Sequence, residues 1–132
     1  MYKLLIPFTI QILILINFPF CKKEKQCDII TEIINHKQIQ HFLHPEVKGR
    51  DTLYIEKSQL CDSYNQKVNN IVVITIDNTE IARKSNYMQI LKIDKKDGKL
   101  NAVSLGYPIE GASFVVHFDN HQKIINIKAY EN

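Results

Sequence analysis

The pattern of apolar and polar residues divides this chain into three parts, and each part predicts a different element. Residues 4–20 carry no charged side chain, which sets them apart from the rest of the chain. Between residues 28 and 43, apolar positions recur at helical spacing, and this predicts a helix that ends before Pro45. From residue 87 onward, apolar and polar positions alternate, as they do in strands with one buried face. The pattern predicts an uncharged leader, one helix and a series of strands.

The strand pattern is divided by short turn sequences. Strands are predicted over 52–55, 71–76, 87–93, 100–107, 113–118 and 123–130, with a helical turn over 77–84. The β-branched run Ile71–Ile76 predicts a strand that is covered on both faces or nearly so. Gly98 lies where the turn between two strands needs a positive φ.

A helix followed by a meander of strands predicts an α+β fold. The N-terminal helix is expected to pack on an antiparallel β-meander sheet, because each element covers the apolar face of the other. A chain of 132 residues has room for one domain of this kind. We therefore expect a signal peptide over 1–20, a lipid-anchored tether over 21–26 and a single small domain over 27–132.

The last strands support a more specific layout. The stretch from Ala102 to Tyr130, with Lys123, Ile124 and Ile127 in its final strand, resembles the closing strands of cystatin-like folds, including the nuclear-transport-factor-2-like superfamily. This resemblance implies a cone-shaped domain in which helix and sheet enclose a pocket.

The leader has the features of an export signal. Lys3 supplies a positive charge before the apolar run, and the run ends at Cys21, which a charged tract, Lys22–Lys25, follows. This predicts a secretory signal peptide; a permanent membrane helix is the alternative, although a spanning helix needs about 20 apolar residues. A cysteine at this boundary resembles that of bacterial lipoproteins of the Bacteroidetes type. The resemblance implies acylation of Cys21, and thus an exported, membrane-anchored protein of the bacterial cell envelope, periplasmic or surface-exposed.

Export also permits disulfides. If Cys21 carries a lipid, Cys27 and Cys61 remain as an even pair. A bridge between them would stabilise the domain by roughly 4 kcal/mol on the chain-entropy model. Two buried free thiols are the alternative.

Charge and motif content argue against several function classes. The chain has 17 Lys and Arg and 14 Asp and Glu, a net charge of +3 that is spread along the sequence, so nucleic acid is not an expected partner. None of the four glycines lies in a nucleophile-elbow or phosphate-binding motif. We therefore predict no catalytic residue and no cofactor, and we favour a non-enzymatic function.

Histidines are the remaining candidates for chemistry. His41 and His44 are three residues apart on the predicted helix, so they would share a face and form a weak candidate metal site. His36 is about 140° around the helix from His41 and does not join them. Exposed polar residues are the simpler interpretation.

Three hypotheses follow. The first is a non-catalytic envelope lipoprotein that contacts the membrane through its lipid anchor and binds a protein partner, as an immunity or inhibitor protein would. The second is a small-ligand-binding or enzymatic domain of the cone-shaped type. The third is a metal-binding lipoprotein that uses His41 and His44.

Overall fold

A computed structural model describes the backbone from residue 20 to 131 and the side chains from residue 27 to 131. The predicted signal peptide before Phe20 and the side chain of Cys21 lie outside these residues. The helices are α1 (Phe20–Asn35), α2 (Lys37–Leu43), α3 (Asn78–Ile81) and a 3₁₀ turn, Pro108–Glu110. The strands are β1 (Thr52–Glu56), β2 (Asn65–Val68), β3 (Ile71–Ile76), β4 (Tyr87–Lys96), β5 (Lys99–Tyr107), β6 (Ala112–Phe118) and β7 (Ile124–Glu131).

The strands form one sheet in the order β2-β3-β1-β4-β5-β6-β7. The α+β class is as predicted, but the purely antiparallel meander is wrong, because the sheet is mixed. Strand β1 lies inside it and runs parallel to both β3 and β4. The pairs β2–β3, β4–β5, β5–β6 and β6–β7 are antiparallel.

The parallel pairs arise from two connections that each pass a strand of the sheet: the β1–β2 connection passes β3, and the β3–β4 connection passes β1. The β2–β3 hairpin places β3 beside β1, and the segment containing α3 then crosses to β4 on the far side. Helix α3 contacts β1 as it crosses. In β3, buried residues alternate with half-buried ones, so neither face is fully exposed, as is usual for parallel strands. This explains the nearly continuous apolar run in β3.

The predicted helix over 28–43 is interrupted. His36 has an extended backbone, and its Nδ1 accepts a hydrogen bond from the Gln38 amide at 3.3 Å, which makes it the N-cap of α2. The Gln40 side chain donates to the Ile34 carbonyl at 2.6 Å, satisfying an acceptor that the break would leave unpaired. The predicted helix is therefore two helices, with the break at His36.

Both helices pack on one side of the sheet, which we call the inner face. Their apolar residues join those of all seven strands in one core, whose fully buried members include Ile33, Ile34, Ile39, Leu43, Leu53, Val73, Met88, Val103, Tyr107, Phe114 and Val116. Phe42 of α2 meets Phe114 of β6 edge to face, with ring centroids 5.1 Å apart. The opposite side of the sheet is the outer face.

A disulfide ties the middle of α1 to the loop between β1 and β2. Cys27 and Cys61 are bonded, with their Cα atoms 5.0 Å apart. Cys61 lies in the loop between β1 and β2, so the bond ties the helix to that loop. The hydroxyl groups of Thr31 and Tyr64 form a second contact between the same two segments.

The turn between β6 and β7 is fixed by side chains. Asp119 Oδ1 accepts hydrogen bonds from the amides of His121 (2.8 Å) and Lys123 (3.0 Å). The bond from Lys123 is the main reason why the pKa of Asp119 lies below its usual value. The Gln122 side chain in turn pairs with both backbone groups of Leu100, so the turn is held to the neighbouring hairpin.

Candidate functional surface

The outer face of the sheet is divided into a covered half and an open half. Near β1, Ile81 of α3 is buried and Lys84 lies 4.6 Å from the centre of the Tyr54 ring, a cation–π contact. Over β4–β7, no helix packs on this face in the part of the chain that the structure describes. The outward residues of β6 are accordingly half-buried, whereas its inward residues are buried.

A β-bulge raises one leucine above this open half. Ile90 pairs with Leu105 and Lys92 with Ser104, so Leu91 is the extra residue of β4. The Ile90 amide donates to Glu56 Oε2 at 3.2 Å, which holds β4 just before the bulge. Bulges commonly redirect side chains at functional positions.

Leu91 is 57% exposed and lies over a glycine of the next strand. Its Cδ atoms come within 3.5 Å of the point where a Cβ atom of Gly106 would be. The absence of a side chain at Gly106 allows the leucine to lie along the sheet. The bulge and the glycine thus present a large apolar side chain to solvent.

Small residues form the floor of a trough beside Leu91. The outward positions of β5 and β6 are occupied mainly by small side chains: Ala102, Ser104, Gly106, Ser113 and Val115. Leu91 stands on one side, on β4, and Tyr130 stands on the other, on β7, where it is 51% exposed. We call this surface the outer trough. Its walls are three strand spacings apart, about 14 Å.

The outer trough has lysines on both walls. One row of paired residues crosses the four strands from β4 to β7 through Lys92, Ser104, Val115 and Lys128. The two lysines therefore lie at opposite ends of this row, one on each wall. Both are exposed. A helix about 10 Å across would fit between the walls if it offered apolar residues to the floor and carboxylates to the lysines.

A second concave surface lies at the end of the domain near the disulfide. It is a groove of about 660 Å³ between α1, the β1–β2 loop and the last two turns. Ile29, Leu60, Ile93 and Leu100 supply its apolar lining, and Asp28, Glu32, Lys95, His121 and Lys123 supply its charged and polar rim. Lys123 and Glu32 approach each other across it at 3.8 Å.

Polar groups also gather where β1, β4 and β5 meet. The buried Tyr107 hydroxyl donates to Asn86 Oδ1 at 2.5 Å, and Asn86 Nδ2 donates to the Thr52 carbonyl at 2.9 Å. Burial raises the pKa of Tyr107 to about 12; the nearby Arg50 opposes this shift and Glu110 adds to it. Arg50 and Glu110 form a partly buried ion pair. Each group has a partner, so this cluster holds the strands together.

Of the two candidate metal ligands, one lies in α2 and the other directly follows it. His41 lies in α2, next to the Phe42 ring. His44 follows the helix in a left-handed conformation (φ 48°), and its Nδ1 lies 3.4 Å from Glu46 Oε1. Among residues 27–131, no three His, Cys, Asp or Glu side chains are grouped as a metal site would need.

Within the described chain, no helix is both long and apolar enough to cross a membrane.

Comparison with known proteins leaves the geometry as the main guide to function. No family model matches the chain, and neither the curated proteins nor the solved structures give a significant match. The outer trough was missed by sequence reasoning, although an alternating strand that contains Gly106 between Leu105 and Tyr107 was a signal of close packing at that point.

Proposed function

We propose that this chain is a non-catalytic lipoprotein of the bacterial cell envelope, anchored through Cys21, and that its domain binds another protein through the outer trough. The observation that carries the binding proposal is Leu91, an exposed leucine held over a glycine by a β-bulge. Leu91 shares this surface with the exposed Tyr130, and apolar side chains grouped on one exposed surface are typical of contact sites. An immunity or inhibitor protein is one version of this function.

Two features support export. The leader, with Lys3 before an uncharged run that ends at Cys21, has the pattern of a lipoprotein signal. The bond between Cys27 and Cys61 fits an oxidising compartment, where disulfides persist. A lipid on Cys21 would leave the domain attached at the start of α1.

The chemistry of the outer trough defines the partner segment that would fit. The floor is apolar or small, so it accepts an apolar stripe, and the lysines at 92 and 128 favour acidic residues beside that stripe. The partner is therefore expected to present an amphipathic helix with acidic flanks. Such helix-in-groove contacts are a common mode of recognition.

Site-specific photo-crosslinking in living cells tests this proposal. A photoreactive amino acid at position 91 should yield a covalent adduct with a second protein in the membrane fraction. The same amino acid at position 47, where Val47 is also exposed (46%) but lies in the loop between α2 and β1, serves as the matched control. Equal adduct patterns at both positions would count against the proposal that the partner binds at the outer trough.

The groove near the disulfide favours a second candidate, a ligand-binding domain with a cystatin-like, cone-shaped layout. Its volume of about 660 Å³ is in the range of small-molecule sites. The acids and the histidine that line it, Asp28, Glu32 and His121, are exposed or half-buried, whereas an acid–base site in such a domain would bury one of them. We therefore rank this candidate second.

Native mass spectrometry of the protein taken directly from the envelope distinguishes the two candidates. A bound small molecule that disappears when Leu100→Trp fills the groove would favour the ligand-binding domain. An unliganded mass together with an adduct at position 91 would favour protein binding.

A further inference from the structure

The groove near the disulfide lies at the end of the domain from which the chain would reach its lipid anchor. Helix α1 runs from Phe20 to Asn35, and Asp28 and Glu32 of this helix line the groove. Cys21 precedes Asp28 by seven residues, which is about 10 Å along a helix. Acyl chains on Cys21 would therefore hold the groove close to the surface of the anchoring membrane.

We propose that this groove binds a phospholipid of that membrane, one whose headgroup carries a primary ammonium group beside the phosphate, as phosphatidylethanolamine does. The inference rests on the anchor at Cys21, which is part of the function proposed above, and it does not depend on the outer trough. It assigns to the groove a lipid of the membrane rather than a soluble small molecule.

The lining of the groove suits a molecule with an apolar part. The apolar side chains in it come from α1, the β1–β2 loop and the β4–β5 hairpin, and they are Ile29, Leu60, Ile93 and Leu100. Leu60 is buried, whereas the other three are only half-buried, so part of their apolar surface remains in contact with water. Covering this surface with the glycerol and the first methylene groups of a lipid would be favourable.

The rim of the groove carries charges of both signs. Lys123 and Glu32 approach each other across it at 3.8 Å. Lys95 and Asp28 lie on the same rim, and both are exposed. Among the described residues, neither of these two forms an ion pair with another side chain. Lysine is a common partner of phosphate, so Lys95 fits the phosphate of the lipid and Asp28 fits its ammonium group.

The acidic side chains of the rim select against a headgroup with a net negative charge. Such a headgroup would be attracted by Lys95 but repelled by Asp28 and Glu32. A headgroup that carries both a phosphate and an ammonium group meets an opposite charge with each of them. The rim therefore favours a zwitterionic phospholipid.

The same rim favours a primary ammonium group over a quaternary one. Quaternary ammonium groups are typically held by cages of aromatic side chains. Among the described residues that line the groove, none except His121 has an aromatic ring. A primary ammonium group can instead donate charge-assisted hydrogen bonds to the Asp28 carboxylate, which indicates ethanolamine rather than choline.

Strand β1 separates a groove end of the domain from a far end. The strand runs from Thr52 to Glu56, and the loop that follows it contributes Gln59 and Leu60 to the groove. The loop that precedes it contains Val47, which is exposed. Positions 59 and 47 therefore lie beyond opposite ends of β1, and only the first should meet the membrane lipid.

Photo-crosslinking at position 59 tests the proposal. The acylated chain, with a photoreactive amino acid in place of the exposed Gln59, is reconstituted into vesicles of equal parts phosphatidylethanolamine and phosphatidylcholine. Illumination should add the mass of one phospholipid to the chain. Ethanolamine adducts should exceed choline adducts about twofold to fivefold, the effect of one exposed ion pair. The same amino acid at position 47 is the matched control and should give no lipid adduct.

Two charge variants separate the contributions of the rim residues. Asp28→Asn should bring the two adducts to equal amounts, because the ammonium group loses its partner. Lys95→Gln should lower both adducts to a similar extent, because both lipids carry the phosphate. Both residues are exposed, so the melting temperature should be the same in the two variants as in the unsubstituted chain.

The mass of the chain separates a failure of the groove from a failure of the anchor. An acylated, vesicle-bound chain that gives no lipid adduct at position 59, or equal adducts at 59 and 47, would overturn this inference alone. Equal amounts of the two lipid adducts in the unsubstituted chain would also overturn it. A chain without acyl groups on Cys21 would overturn the proposed anchor and this inference with it.

Discussion

Gly106 and Tyr107 are neighbours in β5, and they serve opposite sides of the sheet. Gly106 lets Leu91 lie over the outer face, while the Tyr107 ring is buried in the core and its hydroxyl reaches Asn86. The alternation over 100–107 predicts this strand and its two faces. The bulge that places Leu91 over Gly106 depends on how β4 pairs, which no local pattern contains.

Tyr107→Phe should destabilise the fold by about 1–2 kcal/mol. The substitution removes a buried donor and leaves the Asn86 oxygen without a partner, and that penalty is typical of an unsatisfied buried acceptor. Urea denaturation of the two proteins measures the difference. An unchanged midpoint would show that the hydroxyl contributes nothing to the cluster.

The same residue predicts a dependence of stability on pH. Folding raises the pKa of Tyr107 from 10.0 to about 12, so the folded state favours the neutral phenol. The stabilisation is complete below pH 10 and is lost as the pH rises through 12. A spectrophotometric titration should show a tyrosine that ionises near pH 12 in the native protein and is missing from Tyr107→Phe.

At the scale of elements, strands with strong apolar patterns were predicted and the polar edge strand was not. The predicted strands at 71–76 and 113–118 lie within one residue of β3 and β6. β2 buries only Val68, so its sequence has no alternating pattern to recognise. The parallel pairing of β1 was missed because it depends on crossings over the sheet rather than on local sequence.

The helix break at His36 has a similar explanation. Apolar residues keep an approximately helical spacing on both sides of it, so the pattern predicts one helix over 28–43. The break is made by the His36 side chain, which accepts from the Gln38 amide, and by the Gln40 side chain, which donates to the Ile34 carbonyl. Both side chains are polar at positions where a helix surface is also polar.

The disulfide is the strongest local restraint on α1. Replacing Cys27 and Cys61 together by serine should lower the free energy of unfolding by about 4 kcal/mol, because the unfolded chain loses a closed loop. The middle of α1, around Cys27, should also exchange its amide hydrogens faster, since the bond ties it to the β1–β2 loop. Denaturation of the unsubstituted chain with and without reductant measures how much the disulfide adds to the free energy of unfolding. An identical midpoint in both conditions would contradict it.

At the scale of the whole molecule, the fold leaves two surfaces for interaction. The groove lies at the end near the disulfide, and the outer trough lies on the face opposite α1 and α2. The sequence predicted a protein partner, but it did not select the residues that would contact it. Their selection required the strand order, because Leu91 and Tyr130 belong to strands that are separated by two others.

The affinity of the partner identified by crosslinking at position 91 tests the central claim most directly. Leu91→Ser should weaken binding about tenfold to a hundredfold, the value of burying one leucine side chain at an interface, with the melting temperature nearly unchanged because Leu91 is largely exposed. Val47→Ser should bind as the unsubstituted protein does. Equal affinities for Leu91→Ser and the unsubstituted protein would contradict the claim that the outer trough is the binding surface.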